Sequence, residues 1–117
     1  MSMPKQAQKL GLKAKLFRGF GDPTRLSILE SLREGERSAS EIVKETGQSQ
    51  SNISNHLACL LDCGLVKNRR EGKRIIYSIA DKKVSKILEE SDDILKALAH
   101  GFFACVNYSD AASEEKE

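Results

Sequence analysis

The chain has 117 residues, enough for one hydrophobic core and too few for a second catalytic lobe. Apolar residues make up 39% and charged residues 31%, and only six side chains are aromatic, none of them Trp, so an aliphatic and mostly helical core is expected. The net charge of +2 conceals a division. Residues 1–74 carry 14 basic and 8 acidic side chains, whereas residues 75–117 carry 5 and 9, which aims the first part at a polyanion. No run approaches 18 apolar residues and the opening MSMPKQAQKL has no apolar signal segment, which predicts a cytoplasmic location and no membrane partner. An odd count of three cysteines in a reducing compartment argues against a disulfide framework and leaves reactivity or metal binding.

In chain order, residues 5–20 place Leu10, Ala14 and Phe17 on one stripe and predict a first helix. Asp22 can cap a second helix that opens on Pro23, repeats Leu26, Leu29 and Leu32 at core spacing, and stops near Gly35. A short third helix fits Ser40 to Thr46 and ends at Gly47; a fourth fits Ser49 to Cys63 and ends at Gly64. The period then changes to two. LVKNRR and KRIIYSI read as strands, with Glu71 and Gly72 supplying a tight hairpin turn. A last helix capped by Asp81 carries Val84, Ile87, Leu88, Leu95, Leu98 and Phe102, with Gly101 a point where it can end or bend. This stripe has more apolar surface than one small core uses, which predicts a homodimer built on the first and last helices. Residues 1–108 thus read as one DNA-binding and dimerisation domain, and 109–117 as an acidic, disordered tail.

Two short helices joined by a Gly-containing turn and followed by a basic hairpin describe a winged helix-turn-helix: mainly α with a two-stranded β-hairpin, an α+β fold. On the fourth helix, Ile53, Leu57, Leu60 and Leu61 form the inward stripe. Gln48, Ser49, Gln50, Ser51, Asn52, Ser54, Asn55 and His56 gather at its start without an intervening charge. Such short polar groups at a helix N-terminus suit base edges and phosphates of double-stranded operator DNA, where an ordinary solvated face would carry Glu and Lys. Lys67, Arg69, Arg70, Lys73 and Arg74 crowd the hairpin and suit phosphates beside the groove.

Cys59 and Cys63 are four apart on the same helix, about 5–6 Å apart at Cβ, so two thiolates can share one ion. Taken alone, C-x₃-C fits equally two small thiols with no ligand. Cys105 lies far along the chain, but a symmetric dimer can bring it to the partner subunit's Cys59 and Cys63. His56 and His100 are nearby fourth-ligand candidates, although a phosphate or capping contact suits His56 better.

The strings GDPTRLSILESL, SQSNISNHLACLLDCGLV and REGKRIIYSI, in this order, resemble the ArsR/SmtB family of metal-responsive repressors, from about Lys5 to Cys105. The resemblance implies winged helix-turn-helix homodimers that bind operator DNA when metal-free and release it when an ion binds. Its arsenic-type C-x-C falls on Ser38 and Ser40, and its zinc-type D-x-H meets Asp81 followed by Lys82 and Lys83, so both patterns are missing. No cysteine precedes Cys59, which excludes the cysteine-rich N-terminal arm. The pattern that remains is similar to the CmtR-type branch of cadmium/lead sensors, in which SNHL-x-C-x₃-C-G-L supplies two thiolates and a C-terminal cysteine of the other subunit the third. The resemblance therefore implies Cys59, Cys63 and Cys105 as ligands, with Cd(II) or Pb(II) as inducer and Zn(II) as a further candidate. A thiol redox or persulfide sensor of the same fold is the alternative. An enzyme is not expected: His56 and Cys59 lack a third orienting group, and no phosphate loop or HExxH is present.

Overall fold

Side-chain caps set the helix boundaries in the computed structural model, which describes residues 5–99. Asp22 accepts the Arg25 backbone N–H at 3.0 Å, with Pro23 in the first helical position, and so separates α1 (Gln6–Gly21) from α2 (Pro23–Arg33). After β1 (Arg37–Ser38), the Ser38 hydroxyl accepts the Glu41 N–H while the Glu41 carboxylate accepts the Ser38 N–H. This reciprocal box starts α3 (Ala39–Thr46) a residue before the expected Ser40. Ser49 caps α4 (Gln50–Cys63) through the Asn52 N–H at 3.2 Å. Gly47 and Gly64 stop α3 and α4 at φ 73° and 78°, a left-handed backbone that favours glycine.

β2 (Val66–Glu71) and β3 (Arg74–Ile79) form the hairpin, and two of its details correct the sequence reading. Glu71 pairs with Arg74 across the ladder, so the turn is Gly72–Lys73, with Gly72 at φ 64°, rather than Glu71–Gly72. The sheet has three antiparallel strands in the order β1-β3-β2, because Arg37 and Ser38 pair with Tyr77 and Ile76. A two-residue strand has no periodicity of its own and exists only through this distant pairing.

By packing the chain divides into two units, Met1–Val84 and Ser85–Glu117. The core of the first is aliphatic: Ile28 and Leu29 of α2, Ile42 of α3, and Ile53, Leu57 and Leu60 of α4 are fully buried, and Leu65, Val66 and Ile76 close it from the wing side. Leu61, expected inward, is half-buried. α1 approaches this layer closely at Gly19, where a Cβ would stand 3.1 Å from Leu65 Cδ1. Leu10, Leu12 and Phe17 of α1 are exposed.

α5 (Lys82–Ala97) is opened by Asp81, whose carboxylate accepts the Lys83 N–H at 2.7 Å. Along it Val84 and Leu88 are buried, whereas Ile94 and Leu95, and Leu98 just beyond it, are exposed. His100, Gly101, Phe102, Cys105 and the 109–117 tail lie outside the described residues, as does the expected boundary at residue 108. Among the described residues no helix is long and apolar enough to cross a membrane.

Candidate functional site

The expected reading surface divides by what its side chains contact within the fold. Gln50, Ser51, Ser54 and Asn55 are exposed along the first two turns of α4, on the side away from Ile53 and Leu57. Only one contact joins them, Gln50 Nε2 donating to Ser54 Oγ at 3.4 Å. The other candidates have structural work. Ser49 is the α4 cap, and the half-buried Asn52 donates through Nδ2 to Gln48 Oε1 at 2.9 Å. His56 is half-buried, with Nδ1 3.8 Å from Asp22 Oδ2. The Asp22 carboxyl is held below its ordinary value, first by the Arg25 backbone N–H it accepts and then by the charges of His56 and Arg25. His56 thus lies beside the start of α2.

The wing cations are likewise of two kinds. Arg69 donates to Glu36 and, at 2.7 Å, to Glu71, and the Glu36 bond is the main reason its guanidinium is held above its ordinary value. Arg74 donates to Glu41 Oε1 at 2.9 Å and to Ser38 Oγ at 3.2 Å. The Glu41 carboxyl is held below its ordinary value, chiefly by the Ser38 N–H and hydroxyl, with Arg74 adding. These two arginines fasten the wing to the β1–α3 region, which sequence counting of charges could not show. Lys67, Arg70 and Lys73 are exposed and make no ion pair among the described residues; Arg70 Nε donates to the Gly72 carbonyl at 3.2 Å.

This division has a measurable consequence. Each phosphate neutralised steepens the salt dependence of DNA binding by about 0.9 in log–log slope. Arg70→Ala is expected to flatten that slope by about this amount, and Glu36→Gln/Glu71→Gln, which removes both carboxylates paired with Arg69, to steepen it. Equal slopes for wild type and both variants, measured by fluorescence anisotropy across a salt series, would contradict the assignment.

The thiols sit further along α4. Cys59 is half-buried and Cys63 exposed. Cys59 Sγ accepts a hydrogen bond from Arg25 Nη1 at 3.1 Å, a contact between residues 34 apart that sequence reading missed. Cys63 borders a surface recess of about 230 Å³ shared with Leu12, Lys15 and Leu16 of α1, and with Asp62 and Leu65. Two sulfurs four residues apart on one helix suit a soft ion in donor chemistry. Among the described residues no group of three His, Cys, Asp or Glu side chains gathers to hold a metal. The arsenic-type positions carry hydroxyls: Ser38 Oγ and Ser40 Oγ are 3.2 Å apart, with Ser38 buried as the α3 cap.

Helices α3 and α4 meeting at the Gly47 turn, with the β2–β3 hairpin following, define the class: a winged helix-turn-helix DNA-binding domain. The family model described as "Bacterial regulatory protein, arsR family" matches residues 22–68. The chain is 45% identical over 75 residues to a probable mercury resistance operon repressor of Streptomyces lividans, covering 64% of this chain and 60% of that protein. It is 38% identical over 85 residues to the HTH-type transcriptional regulator CmtR of Mycobacterium tuberculosis, covering 73% and 72%.

Solved structures agree. The Mycobacterium tuberculosis Rv0081 crystal structure superposes with a TM-score of 0.74 at 33% identity, covering 84% of this chain and 97% of that one. A homodimeric winged helix-turn-helix DNA-binding domain from Mycobacterium bovis gives 0.71 at 31%, covering 82% and 91%. The NMR structure titled as the cadmium metal-sensor CMTR gives 0.59 at 40%, covering 66% and 80%. The chain belongs to the ArsR family of bacterial transcriptional regulators, and it is a regulator with a DNA-binding fold, not an enzyme.

Proposed function

We propose that this chain is a soft-metal-responsive repressor. As a homodimer through α1 and α5 it holds operator DNA, and it releases the DNA when Cd(II) or Pb(II), with Zn(II) as a competing ion, is bound by Cys59 and Cys63 together with the partner subunit's Cys105. The observation that carries this reading is the position of the two thiols on α4, the helix that also presents Gln50, Ser51, Ser54 and Asn55. A similar protein is titled a cadmium metal-sensor, and another is named for mercury resistance. Cadmium and mercury are soft ions, for which thiolates are the fitting donors. Dimerisation is supported by the apolar side chains left exposed on each helix, Leu10 and Phe17 on α1 and Ile94 and Leu95 on α5.

A soft divalent ion, when bound, supplies bonds to thiolates that no oxygen ligand replaces. The chain's own residues account for the rest. Cys59 and Cys63 have no gathered third donor among residues 5–99, and Cys105 is the third cysteine of the sequence. Drawing both α4 sulfurs toward a ligand from the other subunit re-aims α4 relative to the two half-sites, without a signal relayed over distance. The size of the response is set by the difference in metal affinity between the free and DNA-bound states.

The test is an absorbance titration of the reduced protein with Cd²⁺. A sulfur-to-metal charge-transfer band saturating at one ion per monomer and lost in Cys59→Ser is expected; a band that survives this substitution refutes the site. The second reading, a thiol redox or persulfide sensor, is favoured by the Arg25 Nη1 hydrogen bond to Cys59 Sγ, which singles out one of the two thiols. It is opposed by the spacing, because an i, i+4 pair within a regular helix is poorly aimed for a disulfide. Mass spectrometry after mild peroxide treatment separates the two: a 59–63 or 63–105 link formed with loss of DNA binding supports the redox reading.

A further inference from the structure

We propose that Arg25 is a positioning residue for the sulfur site, holding Cys59 Sγ from outside and tying it to the last turn of α1. The guanidinium is bound on two sides by different helices. Nη1 donates to Cys59 Sγ of α4 at 3.1 Å, and Nη2 donates to the Arg18 carbonyl of α1 at 3.3 Å. Its Nε is buried and has no hydrogen-bond partner among the described residues, so its polar contacts are made through the two Nη atoms. The Arg25 backbone is fixed as well, since its N–H is the one that Asp22 accepts to cap α2. Its charge also acts on the Asp22 carboxylate, and its acceptor on α4 is the Cys59 sulfur.

Arginine suits this place better than other side chains. Its planar fork presents two Nη donors at fixed separation to acceptors on two helices, whereas lysine offers one point charge and methionine none. Three thiolates around a divalent ion leave the cluster with one net negative charge, and the guanidinium offsets that charge from outside the ligand shell. Groups that hold a ligand in this way typically change metal affinity by 10–100-fold when removed. The same fork connects the sulfur to α1, whose exposed Leu10 and Phe17 are the proposed dimer surface, so the position of Cys59 and the end of α1 are mechanically linked.

The inference rests on Cys59 being a metal ligand, and the experiment separates the two claims. Reduced full-length wild type, Arg25→Met, Arg25→Lys, Cys59→Ser and the Arg25→Met/Cys59→Ser double variant are titrated with Cd²⁺ against a competing chelator, following the sulfur-to-cadmium absorption. Arg25→Met is expected to weaken Cd²⁺ binding on the order of 10–100-fold at unchanged stoichiometry. Arg25→Lys should recover part of that loss, and the Met substitution should add nothing in the Cys59→Ser background.

Wild-type affinity in Arg25→Met, or a loss of the same size without Cys59, overturns the role of Arg25 and leaves the ligand reading intact. Absence of any Cys59-dependent absorption in wild type overturns both. Circular dichroism confirms folding of each variant. If Arg25→Met does not fold, Arg25→Lys decides alone: affinity equal to wild type overturns the proposal, and a loss of at least threefold confined to the Cys59 background supports it.

Discussion

Leu60→Ala is expected to destabilise the domain by about 2–5 kcal/mol. Leu60 is fully buried on α4, in the same layer as the fully buried Ile53 and Leu57. Its carbonyl also accepts the Leu65 N–H at 3.0 Å where the chain leaves α4 for the wing. Removing the side chain loses its transfer free energy and leaves a cavity that a small aliphatic core can only partly close. Domains of this size are stable by about 5–15 kcal/mol in total, so the substitution removes a large fraction of that margin. At fixed protein concentration the thermal midpoint should fall by roughly 10–30 °C. Because α4 carries both the proposed reading surface and the thiols, DNA and metal binding should be lost together on warming. A fall of only a few degrees, followed by circular dichroism, would mean that the α4 core is not the keystone described above.

The second large effect concerns the thiols. Cys63→Ser and Cys105→Ser should each leave metal-free DNA affinity within about threefold of wild type and abolish metal-driven release, because a hydroxyl is a hard, protonated substitute for a soft thiolate. The intersubunit arrangement makes a sharper demand. Mixed dimers of a Cys59→Ser/Cys63→Ser protomer with a Cys105→Ser protomer contain one complete site if the ligands are shared across subunits, and none if they are not. One Cd²⁺ per mixed dimer, with the charge-transfer band of wild type at half intensity, is the expected result. No band in the mixed dimer would place the third ligand within the same chain.

Local chemistry explains which parts of this molecule can be read from its residues. Asp22, Ser49 and Asp81 mark helix starts, and Gly47 and Gly64 mark helix ends, because a cap involves only its own turn. The α4 core stripe follows the helical period for the same reason. What depends on distant partners is not legible in that way. β1 is two residues long and is created by Tyr77 and Ile76; Glu36 and Glu41 return from the β1–α3 region to take Arg69 and Arg74; and Arg25 reaches Cys59 across 34 positions. Of the five basic residues on the wing, Arg69 and Arg74 are thus paired with carboxylates, while Lys67, Arg70 and Lys73 are exposed without an ion pair among the described residues. At the polar start of α4, Asn52 also donates to Gln48 within the fold. The family resemblance named Cys59, Cys63 and Cys105 through their spacing, while the guanidinium on Cys59 emerges only from the packing of α2 on α4.

The central claim is that ion binding at the α4 thiols weakens DNA binding. It is tested most directly by fluorescence anisotropy of a labelled duplex, selected by this protein from a random-sequence pool, with reduced wild type in the absence and presence of one Cd²⁺ equivalent per monomer. A coupling of the usual size predicts DNA binding weaker by roughly 5–150-fold with Cd²⁺ present, reversed by a chelator. Unchanged or tighter DNA binding with the sulfur-to-cadmium band fully developed would contradict the account.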